Sequence, residues 1–152
     1  MNKLFTILSL LFVLTSCAIS HSQKWDTKDK KAIKYVEKGM EAARYAPFDE
    51  YGRMDYSEAL ELFQKAIDRD PEFTDAYFLM AEYHMRGGNS IGAIDAYQQL
   101  VSVPGFSTST GYAYYDLAQL ELANGMYDEA YEHSKKYQTY KNAPKEKKEL
   151  ND

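Results

Sequence analysis

The chain has 152 residues, with 18 Lys and Arg against 23 Asp and Glu and a formal net charge of −5. That length fits one domain, and the acidic balance excludes a nucleic-acid surface, which needs clustered Lys and Arg. A single Cys excludes a disulfide framework and a multi-Cys zinc site, while scarce Gly and Pro beside many Ala, Leu and Glu favour helices over a many-stranded β fold.

Residues 1–16 read MNKLFTILSLLFVLTS, with Lys3 ahead of an apolar run from Leu4 to Leu14 broken only by Thr6 and Ser9. The run is short for a membrane span of ~20 residues and has the length of a secretory signal. Leu14-Thr15-Ser16-Cys17 follows: an aliphatic residue, two small ones, then the only Cys. This resembles the lipobox of bacterial lipoproteins. The resemblance implies a signal peptide over 1–16, lipidation of Cys17 and a membrane lipid anchor. Ala18 stands where an Asp would signal inner-membrane retention, which favours the outer membrane and leaves its periplasmic and surface faces open. Residues 17–29 show no apolar period and read as the lipidated Cys and a flexible tether.

From residue 30 the chain repeats itself. Asp55-Tyr56-Ser57-Glu58-Ala59 through Phe63 and Ala66 parallels Asn89-Ser90-Ile91-Gly92-Ala93 through Tyr97 and Leu100. Ala59 and Ala93 are 34 positions apart, as are Phe63 and Tyr97, and Ala130 lies 37 beyond Ala93. Within a repeat, Ala81 precedes Ala93 by 12 positions and Ala118 precedes Ala130 by the same interval. Gly88 and Gly125 fall between the paired segments. Ala76, Leu79, Met80 and Tyr83 follow an i, i+3, i+4, i+7 stripe, which predicts a helix from Thr74, as its cap, to Arg86.

These residues resemble tetratricopeptide repeats. Repeat one, about 30–71, carries Tyr35, Gly39, Asp55-Tyr56, Ala59, Phe63, Ala66 and Pro71. Repeat two, about 72–105, carries Tyr77, Met80-Ala81, Gly88-Asn89, Ala93 and Tyr97. Repeat three, about 109–141, carries Tyr114, Leu117-Ala118, Gly125, Tyr127 and Ala130. The expected architecture is an all-α solenoid of about three helix hairpins spanning 30–143. Small residues at Gly39, Ala81 and Ala118 on the first helices, and at Ala59, Ala93 and Ala130 on the second, permit close crossing. Phe63 and Tyr97, with Tyr35, Tyr77 and Tyr114, fill the space beside them. A lone hairpin cannot bury its face, and about three stacked repeats are needed for a core.

Two stretches exceed the repeat pattern. Ala46–Arg53 reads as an extended loop inserted in the first turn, and Val103–Thr110 as a lengthened linker. Pro144 to Asp152 reads as a short or truncated capping helix.

Catalytic signatures are lacking. Gly87-Gly88 has no Lys-Ser/Thr after it, no HExxH occurs, and His21, His84 and His133 lie far apart in sequence. Glu129 and His133 read as a solvated i,i+4 pair. No enzyme, metal, cofactor, small-molecule substrate or nucleic-acid partner is expected.

What the resemblance implies is binding. First helices of such solenoids line a concave groove, here Ile33, Val36, Met40 and Arg44, then Phe78, Glu82, Met85 and Arg86, then Tyr112, Tyr115, Gln119 and Leu122. This aromatic and aliphatic set suits an apolar peptide or amphipathic helix of an envelope protein. The function implied is a membrane-anchored interaction adaptor. Alternatives are a scaffold of an outer-membrane assembly or secretion machine, and the N-terminal module of a peptidoglycan-binding OmpA-like lipoprotein with β-propeller repeats, which this layout resembles.

Overall fold

A computed structural model describes residues 24–105 and 107–142. The signal segment, Cys17 and the expected capping helix at 144–152 lie outside these residues. Among the described residues six helices follow in order: α1 Lys30–Arg44, α2 Ser57–Arg69, α3 Thr74–Arg86, α4 Ser90–Ser102, α5 Thr108–Ala123 and α6 Tyr127–Asn142. α1 packs on α2, α3 on α4 and α5 on α6, making three hairpins. Contacts of α2 with α3, α4 with α5, and α3 with α5 stack them into a solenoid.

The helices end where backbone chemistry stops them. Past α3, Gly88 adopts a left-handed φ of 78°, its N–H bonding to Met85 O at 2.9 Å and that of Asn89 to His84 O at 2.8 Å. Past α5, Gly125 repeats this at φ 79°, with Met126 N–H on Glu121 O at 2.8 Å. Both are Schellman closures, in which a residue lacking Cβ satisfies the last carbonyls. They turn two hairpins identically, 37 positions apart.

The core forms where small residues meet aromatic ones. Gly39, Ala59, Phe63, Ala66, Ala81, Ala93, Tyr97, Ala118 and Ala130 are all buried. Phe63 lies flat against Tyr83, with centroids 5.4 Å apart and planes at 29°, so it joins the first hairpin to the second. Gly39 lets α1 approach it: a Cβ there would stand 2.6 Å from Phe63 Cε1 and 3.2 Å from the Ala59 carbonyl oxygen.

In its helix starts, loops and leading segment the structure differs from the sequence expectations in four places. The insertion in the first turn is a braced hairpin rather than an extended loop. Phe48 and Met54 form an antiparallel bridge, and the Asp49 carboxylate accepts Tyr51 N–H at 2.9 Å, Arg53 N–H at 2.8 Å and Arg53 Nε–H at 3.0 Å. Residues 24–29 are not a flexible tether but are docked. Trp25 meets Phe73 edge-on at 5.8 Å, and Thr27 is buried with its hydroxyl donating to Asp70. Thr74 is the first helical residue of α3, not its cap. α5 starts at Thr108, capped by Ser107, whose Oγ accepts Thr110 N–H at 3.0 Å.

In a helix, Gly→Ala ordinarily stabilises by about 1 kcal/mol. At Gly39 the sign reverses, because Phe63 is fully buried and cannot retreat. Gly39→Ala is expected to destabilise by about 1–3 kcal/mol, read as a lower midpoint in urea denaturation. A raised midpoint would contradict the close crossing.

Candidate binding surface

The groove residues expected from sequence separate by burial. On α1, Val36 is fully buried and is core rather than groove: it falls on the same side as Ala32, Gly39 and Ala43, which face α2. Ile33 and Met40 are half-buried, and Arg44 is exposed. On α3, Phe78 is half-buried, its ring edge-on to Tyr97 at 5.7 Å, so its bulk supports the core. Glu82 pairs with Arg86 at 3.3 Å, and Met85 is exposed. On α5, Tyr112 and Leu122 are more than half exposed. Gln119 is exposed, and Tyr115 is half exposed with its ring 5.2 Å from Tyr137 of α6. The apolar surface therefore gathers on α3 and α5, the first helices of the second and third hairpins, rather than running along all three.

Sequence reasoning placed Glu82 on this surface but missed Asp116. Tyr97, buried on α4, directs its hydroxyl to Asp116 Oδ2 of α5 at 3.4 Å. Burial raises the Asp116 carboxyl above the ordinary carboxylate range, and Glu82 across on α3 adds to the shift. The Tyr97 hydroxyl is likewise held protonated, first by burial and then by the charges of Asp116 and Glu82. Two carboxylates thus share one neighbourhood among tyrosines. Asp116 lies four residues after Tyr112, so helical periodicity already placed it on that face. A cation brought there relieves the repulsion between the two carboxylates.

A second polar cluster ties residues 24–29 to the helix starts. Asp26 accepts from Thr74 N–H at 3.1 Å and from the Thr74 hydroxyl, capping α3 from 48 positions away. Its own N–H donates to Asp75 Oδ2 at 3.2 Å, and Asp75 also accepts from Ser109 at the start of α5. Although much of Asp26 is exposed, its carboxylate turns inward, and desolvation raises its pKa to about 6, with the charge of Asp75 assisting against the Thr74 hydrogen bonds.

A third cluster fixes the last helix. Glu121 of α5 is fully buried, with Oε2 2.7 Å from His133 Nδ1 of α6 and Oε1 3.4 Å from Gln98 Nε2 of α4. Tyr114 stacks on the His133 ring at 6.0 Å. His133 therefore pairs with Glu121 rather than with Glu129, because the packing of α6 on α5 turns the imidazole inward. His84, half-buried beside Asn89, has its pKa lowered by desolvation. Among the described residues no three His, Cys, Asp or Glu side chains gather in a way that could hold a metal ion, and no helix is long and apolar enough to cross a membrane.

Comparison with known proteins agrees with this geometry. Residues 49–107 match the tetratricopeptide repeat family. No curated protein matches the chain in sequence. The crystal structure of MamA is similar, with a TM-score of 0.56 and 26% sequence identity over 72% of this chain and 57% of that one. The chain thus spans little more than half the length of that relative. Repeat match and structural likeness together support a tetratricopeptide-repeat protein, an all-α solenoid of helical hairpins. Such solenoids are typically non-catalytic interaction scaffolds.

Two outcomes test the polar clusters. The raised Asp26 pKa means the folded state holds that proton more tightly than the unfolded chain does. Its contribution to stability is complete below pH about 4 and is lost as pH rises through about 6. Carbon-detected NMR titration is expected to find the Asp26 midpoint near 6, and Asp26→Asn is expected to flatten stability across this window. A midpoint near 4 would contradict the buried carboxylate. His133→Ala takes the imidazole from the fully buried Glu121 carboxyl, leaving Gln98 at 3.4 Å as its side-chain partner, and is expected to cost about 1–3 kcal/mol in thermal or denaturant unfolding. Adding Glu121→Gln to that variant replaces the under-satisfied carboxyl with an amide and is expected to recover part of the loss.

Proposed function

We propose that this protein is a non-catalytic adaptor of the bacterial cell envelope. In this reading Cys17 carries a lipid anchor in the outer membrane, and the face built by α3 and α5 captures a segment of a protein partner. The observation that carries the binding half is the set of exposed Met85, Tyr112, Tyr115 and Leu122 on two adjacent first helices, surrounding Asp116 and Glu82. Tyrosine and methionine suit such a surface, since they offer contact area at low entropic cost and adapt to varied partners. The acidic pair adds specificity. A segment with apolar residues at helical spacing and one Lys or Arg meets both features, the cation resting between Asp116 and Glu82. The anchor half is supported by the basic and apolar leader and the Leu14-Thr15-Ser16-Cys17 sequence.

Phe78 is a poor probe of this surface because it supports Tyr97. Tyr112→Glu combined with Tyr115→Glu is the better test. The double variant is expected to lose at least about tenfold in partner recovery from envelope extracts, measured by affinity purification with quantitative mass spectrometry, while its circular dichroism melt stays cooperative. Tyr131→Glu, at an exposed position on α6, serves as control. Unchanged recovery of every partner by the double variant would defeat the groove reading. A stoichiometric β-barrel protein among those partners would identify the adaptor as part of an assembly or secretion machine.

A further inference from the structure

Charge is unevenly distributed along this chain. Residues 24–44 hold seven Lys and Arg against four Asp and Glu, whereas residues 45–142 hold seven against sixteen. The first described helix is therefore basic in an otherwise acidic protein.

The basic residues of α1 occupy one side. With about 3.6 residues per turn, Lys30, Lys34 and Lys38 follow a single line. Lys31 lies beside it, and Tyr45 at the helix end extends it. The opposite side holds Ala32, Val36, Gly39 and Ala43, all buried. Lys28, Lys30, Lys31, Lys34 and Lys38 are exposed, and none enters an ion pair among the described residues. Of the acidic side chains nearby, Asp29 is engaged by Arg69 at 2.9 Å. Glu37 and Glu41 fall on the same side, three residues after Lys34 and Lys38, and halve the charge of the four lysines without cancelling it.

Beyond the lysines comes an aromatic tip. Tyr45, Phe48 and Tyr51 are each more than 70% exposed, at the end of α1 and on the hairpin braced by Asp49. Rigid backbone presenting three exposed rings next to a lysine line matches what a bilayer interface accommodates. Cationic side chains meet anionic headgroups, and amphipathic rings sit at headgroup depth.

We propose that the outer side of α1, with the hairpin after it, lies on an anionic phospholipid surface. Lys30, Lys31, Lys34 and Lys38 contact headgroup phosphates, and Tyr45, Phe48 and Tyr51 enter the interface. The inference deepens the anchored-adaptor reading and rests on it for bringing the chain to a membrane. Complementarity is what selects lipid: on this side four lysines stand against Glu37 and Glu41, Asp29 is already engaged by Arg69, and the rest of the chain is acidic, so an anionic bilayer turns this side of α1 toward itself.

The test uses the chain from residue 18 onward, without acyl groups. Every described helix and the docked segment lie within 24–142, so every described contact is retained. It is expected to sediment with vesicles of phosphatidylcholine mixed with phosphatidylglycerol, to stay in solution with phosphatidylcholine alone, and to be released by added salt. Each lysine near an anionic surface is worth roughly fivefold in partitioning, so K30E/K34E/K38E is expected to lower binding at least about 100-fold. These positions are solvated, and the variant is expected to keep its circular dichroism melt. Equal binding to both vesicle types, no binding to either, or an unchanged triple variant would overturn the proposal. So would a triple variant that changes the protein's own sedimentation coefficient, which would assign the basic side to a second copy. Mass spectrometry of Cys17 in cell-derived protein tests the anchor separately, and its failure leaves the vesicle result intact.

Discussion

Every hairpin here depends on one steric condition: two helices must approach closely enough for a large ring to seal the gap beside their crossing. Gly39 and Phe63 show it most clearly, since a single added carbon on the glycine would strike the ring. Phe63 belongs to α2, yet it stacks on Tyr83 of α3, so the contact that closes the first hairpin also recruits the second. Tyr97 does the same further along, meeting Phe78 within its hairpin and Asp116 in the next. Stability in such an array is a sum of neighbouring terms, and these shared rings couple the terms.

Much of this was readable from the amino acids because solenoid packing is local. Alanines 12 apart within a hairpin and 34 apart between hairpins are a direct imprint of crossing points, and Gly88 and Gly125 mark the turns since only they accept a left-handed φ cheaply. The helix predicted by the stripe ends at Arg86 as expected and starts one residue early, with Thr74 in its first turn rather than capping it. The features that escaped are long-range or depend on which way a single side chain turns. Asp26 capping α3 joins positions 48 apart, and no periodicity reports such a pair. Residues 24–29 lack an apolar repeat because only Trp25 and Thr27 are inserted, which is enough to dock a segment but not to form a pattern. Val36 and Met40 share a helix and similar character, and a small difference in angle sent one to the core.

The candidate surface shows the same division. Its aromatic and aliphatic members follow from helical spacing on α3 and α5. Its acidic centre follows only in part: spacing puts Glu82 and Asp116 on the right faces of their own helices, but their mutual proximity and the Tyr97 hydroxyl beside Asp116 come from the tertiary fold. His133 is a parallel case. Sequence spacing offers Glu129 as its neighbour, while the tertiary fold supplies Glu121, a carboxylate with no access to water that requires this partner. Charge pairs across a helix interface are set by rotation about the helix axis, which repeat arithmetic fixes only to within a side chain.

The docking of Trp25 on Phe73 also shortens the leash. With Cys17 acylated, eight virtual bonds separate the lipid from the first fixed point of the body, a contour of at most about 28 Å. A disordered run to residue 30 would have allowed the solenoid to sweep a far larger hemisphere. Under the proposed anchor, so short a leash would confine partner search to a thin shell above the bilayer, raising the effective concentration toward membrane-borne segments and excluding those that extend deep into the surrounding compartment.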